Sequence, residues 1–200
     1  MNIAILASGR GSNFEAIVRA VKRKKLKGAK VKLLITDRKD AYVRIRAKKL
    51  GVKDIFVDPK KFKTREGFDR EVVNILNREG IELVILAGFM RILTPYFVKK
   101  FKNRILNIHP ALLPAFKGTD AIERAYNYGV KVTGVTIHFV DEKVDYGPII
   151  MQKALEIKER ESLEELEERI HRLEHKMYPE AISLFIKGKL KIRGRHVKII

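Results

Sequence analysis

The chain has 200 residues, of which 46% are hydrophobic, so it is long enough for one domain with a large core. It contains no cysteine, which excludes disulfides, thiolate zinc sites and cysteine nucleophiles. No apolar run approaches the ~20 residues of a membrane span, and the N-terminal apolar stretch is too short for a secretion signal, so we expect a cytoplasmic protein.

The formal net charge of +19 admits two interpretations. One is binding to nucleic acid or another polyanion. The other is the surface of a thermophile protein, with 34% charged residues and Gln152 as the single glutamine. Lys and Arg occur throughout the chain rather than in one tail, which favours the second interpretation. It predicts a thermal midpoint above about 90 °C.

The first hundred residues alternate between apolar strands and amphipathic helices. Predicted strands cover residues 2–7, 31–35, 54–57 and 81–86, and predicted helices begin near residue 14 and span 42–50, 64–78 and 94–101. This alternation indicates an α/β fold with a Rossmann-like, doubly wound and mostly parallel sheet.

A glycine turn, S-G-R-G-S-N at residues 8–13, joins the first strand to the first helix. It is neither the dinucleotide fingerprint nor a P-loop. Free backbone N–H groups at a helix N-terminus favour an anion, and Arg10 favours a phosphate monoester. The alternative is a plain strand-to-helix connection capped by Ser or Asn. A second connection, A-G-F-M-R-I-L at 87–93, is apolar enough to line a pocket or pack beneath one.

The strand predicted at 105–109 is followed by prolines that prevent its continuation. Asn107 and His109 lie two residues apart, so their side chains point to one face of this strand. Open α/β sheets bind ligands at the carboxyl ends of their strands, which makes this pair a candidate site.

Beyond Pro114 the pattern changes. The sequence predicts a helix at 118–128, a strand with one polar face at 132–140, a turn at 141–148, an antiparallel return strand at 149–157, a long helix at 162–186 and a terminal hairpin at 189–200. Ser162 and Glu165 form a capping box for the long helix, and Pro179 is predicted to kink or divide it.

Metal and nucleophile chemistry find little support. His171 and His175 have helical spacing but lack the glutamate of a zincin motif, so we interpret them as solvated and expect no metal site. There is no Gly-x-Ser-x-Gly element. What remains is Asn107, His109 and the acid Asp145, in which the carboxylate would raise the pKa of the imidazole for proton donation or oxyanion stabilisation. The alternative is a core histidine satisfied by a backbone carbonyl.

Several of these segments together resemble the phosphoribosylglycinamide formyltransferase family, folate-dependent enzymes of purine biosynthesis within the formyltransferase superfamily. The matching segments are S-G-R-G-S-N at 8–13, A-G-F-M-R-I-L at 87–93, N-I-H-P-A-L-L-P at 107–114, T-G-V-T-I-H-F-V-D-E at 133–142 and D-Y-G-P-I-I at 145–150. They come in the family's order and cover essentially the whole chain.

The resemblance implies a reaction in which the amine of the glycinamide ribonucleotide attacks the formyl carbon of 10-formyltetrahydrofolate, with no metal. It implies His109 as general acid and oxyanion stabiliser, Asn107 as second donor and Asp145 as the partner of the imidazole. It assigns the ribonucleotide to Gly11, Ser12, Asn13, His171 and Glu174, and the folate to Arg65, Met90, Arg91, Ile92, Leu93, Asn107 and Asp141.

The same resemblance implies one formyltransferase domain over 1–200, with a phosphate-binding half at 1–104 and a catalytic, folate-binding half at 105–200. The expected partners are small molecules, with no nucleic acid and no membrane, and the chain is expected to be a monomer or a homodimer. Lys117 and Tyr146 depart from the family pattern, where proline and a smaller residue are usual, and predict an altered folate-side wall.

Related enzymes fit less well. A 10-formyltetrahydrofolate hydrolase would carry an additional N-terminal domain, whereas Met1 here leads directly into the first strand. A formyltransferase acting on tRNA would add an RNA-binding domain after the Asp145 loop, where only about fifty residues follow. A basic nucleic-acid-binding module is the most distant alternative.

Overall fold

Parallel strands form the centre of the first of two structural units, Met1–Leu106. In this computed structural model, which describes all 200 residues, the strand order in this unit is β3 (Lys53–Phe56), β2 (Lys30–Thr36), β1 (Asn2–Leu6) and β4 (Leu83–Leu86). β1 pairs in parallel with both β2 and β4, and β2 pairs in parallel with β3. β1 and β4 are buried along almost their whole length, as expected for strands covered on both faces.

Helices connect these strands in both directions from β1. They are α1 (Ser12–Lys22), α2 (Tyr42–Leu50), α3 (Arg65–Arg78) and α4 (Pro95–Lys100), with a short 3-10 turn at Pro59–Lys61. The chain moves outward through β2 to β3 and then returns past β1 to β4. Right-handed crossovers in opposite directions place helices on opposite faces of the sheet. α1 accordingly contacts α2, and α3 contacts α4.

The second unit, Asn107–Ile200, begins within β5 (Ile105–His109). It contains α5 (Ala121–Tyr128), β6 (Val132–Phe139), β7 (Ile149–Glu156), α6 (Leu163–Ile186), β8 (Leu190–Arg193) and β9 (His196–Ile199). β6 and β7 are antiparallel, as are β8 and β9, and one parallel bridge joins Ile149 of β7 to His196 of β9. α6 packs against β6 and β7.

These elements confirm the predicted fold class, an α/β fold with a mostly parallel, doubly wound sheet, antiparallel C-terminal strands and a long C-terminal helix. The capping box of Ser162 and Glu165 is formed as predicted. None of the helices has both the length and the apolar composition needed to cross a membrane.

The prediction that Pro179 divides α6 is wrong, and so is the predicted start of α5 at residue 118, whereas a kink at Pro179 stays a prediction. Pro179 does not divide α6, which runs unbroken through it, because buried residues on both sides, including Tyr178 and Ala181, keep that turn packed in the core. α5 begins at Ala121 rather than at residue 118, and Asp120 precedes it in the left-handed conformation.

Candidate active site

The amide, imidazole and carboxylate that the sequence singled out lie together in the second unit. Nδ1 of His109 is 3.3 Å from Oδ2 of Asp145, and Nδ2 of Asn107 donates to Oδ1 of the same carboxylate over 3.3 Å. Asn107 and His109 share one face of β5 because they are two residues apart on a strand. Asp145 comes from the loop between β6 and β7.

His138 belongs to this cluster and was not predicted. Its Nε2 lies 3.1 Å from the amide nitrogen of Asn107 and 3.6 Å from Oδ1 of Asp145, while its Nδ1 lies 2.7 Å from the carbonyl oxygen of Phe139. The alternation of β6 was the available signal, since Thr136 and His138 fall on the polar face. That face is buried, with His138 only 2% exposed, because the loop after β5 covers it.

The loop after β5 supplies two backbone contacts. Nε2 of His109 lies 2.9 Å from the carbonyl oxygen of Phe116, and the backbone N–H of Gly118 donates to Oδ2 of Asp145 over 2.8 Å. The imidazole therefore contacts a carboxylate and a backbone carbonyl together, so both arrangements left open by the sequence are present. Gly118 lies before the start of α5, so its N–H is free to donate to Asp145.

Burial decides the ionisation of His109. Because the side chain is only 3% exposed, burial lowers its pKa below the ordinary value, and the nearby charges of His138 and Arg124 lower it further. Asp145 and the Phe116 carbonyl raise the pKa but do not compensate. The prediction that the carboxylate raises the pKa of His109 above its usual range is therefore wrong.

Asp145 is held as a carboxylate. Burial alone would raise the pKa of its carboxyl group, but the contacts from His138 and Gly118 and the charge of His109 outweigh burial and keep this pKa below its ordinary value. A persistent anion beside a neutral imidazole favours protonation of that imidazole when negative charge develops on a bound substrate. The cluster can therefore stabilise an oxyanion and transfer one proton.

The predicted phosphate turn lies in the first unit, where the carboxyl end of β1 meets α1. Gly11 is the N-cap of α1 with φ 74°, and no side chain caps the helix. A Cβ at Gly11 would clash with Val43, so α2 approaches this turn too closely for any other residue. Ser12 and Asn13 already belong to the first turn of α1, so the helix begins two residues before the predicted start near residue 14, and the alternative of a cap by Ser or Asn is not formed. The chain adds β2 and β3 on one side of β1 and β4 on the other. The carboxyl end of β1 is therefore the topological switch point of the sheet, where such folds bind ligands.

Four of the folate-assigned residues, Met90–Leu93, lie in the first unit with the fifth, Arg65, beside them. Nη2 of Arg65 donates to the carbonyl oxygen of Ile92 over 3.3 Å. Met90 is 56% exposed and Ile92 is 53% exposed, whereas Leu93 is buried. The exposed side chains leave an apolar surface open, and the prediction that this segment lines a pocket or packs beneath one stays a prediction.

A buried carboxylate that the sequence analysis missed fixes this segment. Oδ2 of Asp69 accepts from both the backbone N–H and the hydroxyl of Thr94, over 2.6 and 2.7 Å. Burial raises the pKa of Asp69, against the opposing effects of Thr94, Arg91 and Arg65. The hydroxyl of Thr94 is therefore used by Asp69 and does not cap α4.

The remaining assigned residues lie in the second unit. Asp141 is in the same loop as Asp145 and accepts from the backbone N–H of Lys143. On α6, Nδ1 of His171 lies 3.0 Å from Oε2 of Glu174, whose side chain is buried. His171 is exposed as predicted, but His175 is half-buried rather than solvated, because its face of α6 packs inward.

Lys117 and Tyr146, the two departures from the family pattern, contact each other. Nζ of Lys117 lies 4.5 Å from the centre of the Tyr146 ring. Tyr146 is the residue that follows Asp145 in the chain. Both line a cavity of about 110 Å³ together with Asp145 and Arg195.

Comparison with known proteins identifies the family. The formyl transferase family profile matches residues 1–182. The phosphoribosylglycinamide formyltransferase of Bacillus subtilis is 45% identical over 180 residues, which cover 90% of this chain and 92% of that protein. The protein of the same name from Escherichia coli K12 is 38% identical and covers 96% and 90% of the two chains.

Solved structures agree with this result. The crystal structure of glycinamide ribonucleotide transformylase 1 from Symbiobacterium toebii superposes with a TM-score of 0.97 at 44% identity, covering 100% of this chain and 94% of that one. The fold and these matches define the class of protein, an enzyme that transfers formyl groups. The chain belongs to the formyl transferase family, and its resemblance to phosphoribosylglycinamide formyltransferases is confirmed.

Proposed function

We propose that the chain transfers the formyl group of 10-formyltetrahydrofolate to the amine of 5'-phosphoribosylglycinamide. The products are formylglycinamide ribonucleotide and tetrahydrofolate, in purine biosynthesis. The observation that carries this proposal is the contact of Asn107 and His109 with one carboxylate, that of Asp145. It occurs in a chain that is 45% identical to a phosphoribosylglycinamide formyltransferase.

The chemistry follows from the charges in the cluster. Attack of the amine on the formyl carbon places negative charge on the formyl oxygen, which Asn107 and His109 stabilise by hydrogen bonds. As the new C–N bond forms, the attacking amine loses one proton, which neutral His109 takes up, and Asp145 stabilises the resulting imidazolium. His109 then gives this proton to the folate nitrogen as the bond between that nitrogen and the formyl carbon breaks, so no net proton is gained or lost. This scheme assigns no step to a metal.

The two substrates are assigned to separate sets of residues. The ribonucleotide phosphate is held by Gly11, Ser12 and Asn13, where the N-terminus of α1 favours an anion, and its remainder by His171 and Glu174. The folate is held by Arg65, Met90, Arg91, Ile92, Leu93, Asn107 and Asp141. The exposed apolar side chains of Met90 and Ile92 support this assignment, because a folate ring needs an apolar surface to pack against.

Several broader properties belong to the same proposal. The chain acts as one formyltransferase domain. Residues 1–104 bind the phosphate and carry five of the seven folate-assigned residues, and residues 105–200 carry the catalytic cluster and the other two. It works in the cytoplasm of a thermophile as a monomer or homodimer, on small molecules and not on nucleic acid. Its place in purine biosynthesis supports the location, and its charged, glutamine-poor composition supports the thermophile origin.

The test is the absorbance change of a stable 10-formyl-5,8-dideazafolate with and without the ribonucleotide. We expect deformylation that depends strictly on the ribonucleotide and is lost in His109→Ala and Asn107→Ala. Asn127→Ala and His196→Ala are matched controls, because both side chains are exposed and lie outside the cluster. Deformylation without the ribonucleotide would indicate a hydrolase, and no reaction would disprove formyl transfer.

A further inference from the structure

Tyr146 follows Asp145 directly, and its ring is surrounded by cations from three parts of the second unit. The guanidinium of Arg195 lies 4.0 Å from the ring centre, Nζ of Lys117 lies 4.5 Å from it and Nζ of Lys143 lies 5.1 Å from it. All three distances are within the range of cation–π attraction. Arg195 makes the closest approach and comes from the most distant segment of the chain.

The position of Arg195 is set by the terminal hairpin. Gly194 makes the turn between β8 and β9 with φ 58°, and His196 forms the parallel bridge to Ile149 at the start of β7. This bridge places Arg195 beside the end of the loop that carries Asp145 and Tyr146. The hairpin lies beyond the residues matched by the family profile, which ends at residue 182.

Support for this loop matters because Asp145 has a left-handed backbone. Its φ is 48°, in a region that aspartate tolerates better than most residues but that still costs free energy. After Tyr146, a Cβ at Gly147 would clash with the carbonyl oxygen of Phe139, so the loop packs closely on the end of β6. Between these fixed points Tyr146 is 39% exposed, and Arg195 and Lys117 cover its ring.

We propose that Arg195 is a positioning residue, which holds Tyr146 and thereby fixes Asp145 against His109. This inference rests on the proposed function in one respect, since it assigns the terminal hairpin a part in formyl transfer. Arg195, Tyr146 and Asp145 line the same cavity, so the hairpin forms one wall of the space beside the catalytic carboxylate.

Kinetics of matched arginine variants provide the first test. We expect Arg195→Ala to lower kcat by about 3- to 10-fold, as one lost cation–π contact would, with an unchanged KM for the ribonucleotide. Arg193→Ala is the control, because Arg193 is exposed on the same hairpin and is not one of the three cations over the Tyr146 ring. Arg195→Lys should retain most of the activity. Equal thermal midpoints of the two alanine variants would exclude general unfolding.

A double-mutant cycle tests whether the two side chains act together. Tyr146→Leu should reproduce the loss seen in Arg195→Ala, Tyr146→Phe should not, and the double variant should lose no more than either single variant. Additive losses, or an Arg195→Ala variant that behaves like Arg193→Ala, would overturn the proposal.

An NMR titration of labelled histidine makes the test independent of turnover. His109 is faced by Asp145, by His138 of β6, by Arg124 of α5 and by the Phe116 carbonyl. If Arg195→Ala displaces Asp145, His109 should titrate at a lower pH than in the Arg193→Ala control. If Arg195→Ala shows this shift but the wild-type protein transfers no formyl group, the proposed function is refuted and the positioning role of Arg195 is kept. No shift and no kinetic difference would refute the positioning role alone.

Discussion

Asp145 combines three demands on one residue: a left-handed backbone, a carboxylate that stays ionised, and contacts with two imidazoles. Strain of this kind persists where the surroundings over-determine it, and it concentrates at functional sites. Here the N–H of Gly118 and the amide of Asn107 both donate to the carboxylate. The cost of the conformation is thereby offset by hydrogen bonds that hold the anion beside His109.

Asp145→Asn should separate the charge from the conformation. Asparagine tolerates the left-handed region, so the fold should survive, but the neutral amide cannot stabilise an imidazolium. We expect kcat to fall by about 10²- to 10⁴-fold, with ribonucleotide binding by calorimetry nearly unchanged. Asp120→Asn is the control, because Asp120 has a similar φ of 56° and is exposed outside the cluster. Wild-type turnover in Asp145→Asn would remove Asp145 from the mechanism.

The lowered pKa of His109 should appear in the pH dependence of stability. The unfolded chain protonates this residue near pH 6.5 and the folded chain does so at a lower pH. Between these values the unfolded state binds more protons, so the free energy of unfolding falls as the pH falls, by up to about 1.4 kcal/mol per pH unit. Guanidinium unfolding from pH 8 to pH 5 should show this loss in wild type and in His196→Asn. The loss should be smaller in His109→Asn. Parallel curves of unfolding free energy against pH for wild type and His109→Asn would contradict the lowered pKa of His109.

At the scale of single residues, the sequence predicted identities better than ionisation. Asn107, His109 and Asp145 could be chosen because residue type and strand spacing are local properties. The direction in which the pKa of His109 shifts could not be predicted, because it depends on how completely the loops around β5 and β6 exclude water. His138 was missed for the same reason, since only the folded chain brings β6 beside Asn107.

At the scale of elements, the strand, turn and helix at β1 and α1 could be predicted, because glycines mark the turn in the sequence. The reason why Gly11 must be glycine lies elsewhere in the chain. The side chain of Val43 on α2 occupies the space that a Cβ of Gly11 would need, and the N–H of Val43 donates to the carbonyl of Gly9 over 3.1 Å. The continuity of α6 through Pro179 likewise depends on the packing of its buried residues, which no local pattern contains.

Gly11→Ala should therefore cost more than its backbone conformation alone. Gly51→Ala is the matched control, because Gly51 has φ 66° but open space around it. We expect the control to lose about 1 kcal/mol of unfolding free energy. Gly11→Ala should lose clearly more than this and raise the KM for the ribonucleotide, since α2 must move away from the phosphate turn. An equal loss in the two variants, or an unchanged KM, would contradict this account.

At the scale of the whole molecule, the charge of +19 is spread over a surface that also carries ion pairs. Arg169 makes two hydrogen bonds with the buried carboxylate of Glu161, over 2.6 and 2.7 Å, and Glu15 pairs with both Arg19 and Arg46. Networks of this kind contribute more at high temperature, where the desolvation of charges costs less. Excess positive charge opposes them by self-repulsion.

Thermal unfolding should show both effects. We expect a calorimetric midpoint above about 90 °C at moderate salt, because ion-pair networks and the scarcity of thermolabile residues act together. At low salt the midpoint should fall, since unscreened repulsion among the excess lysines and arginines destabilises the folded state. Glu161→Gln should lower the midpoint by removing the buried charge that pairs with Nη1 of Arg169, whereas Glu168→Gln should change it little, because both Glu168 and its partner Arg172 are exposed. A midpoint between 45 and 65 °C, the range of ordinary mesophile domains, would leave the charged composition as a general surface property and contradict a thermophile origin.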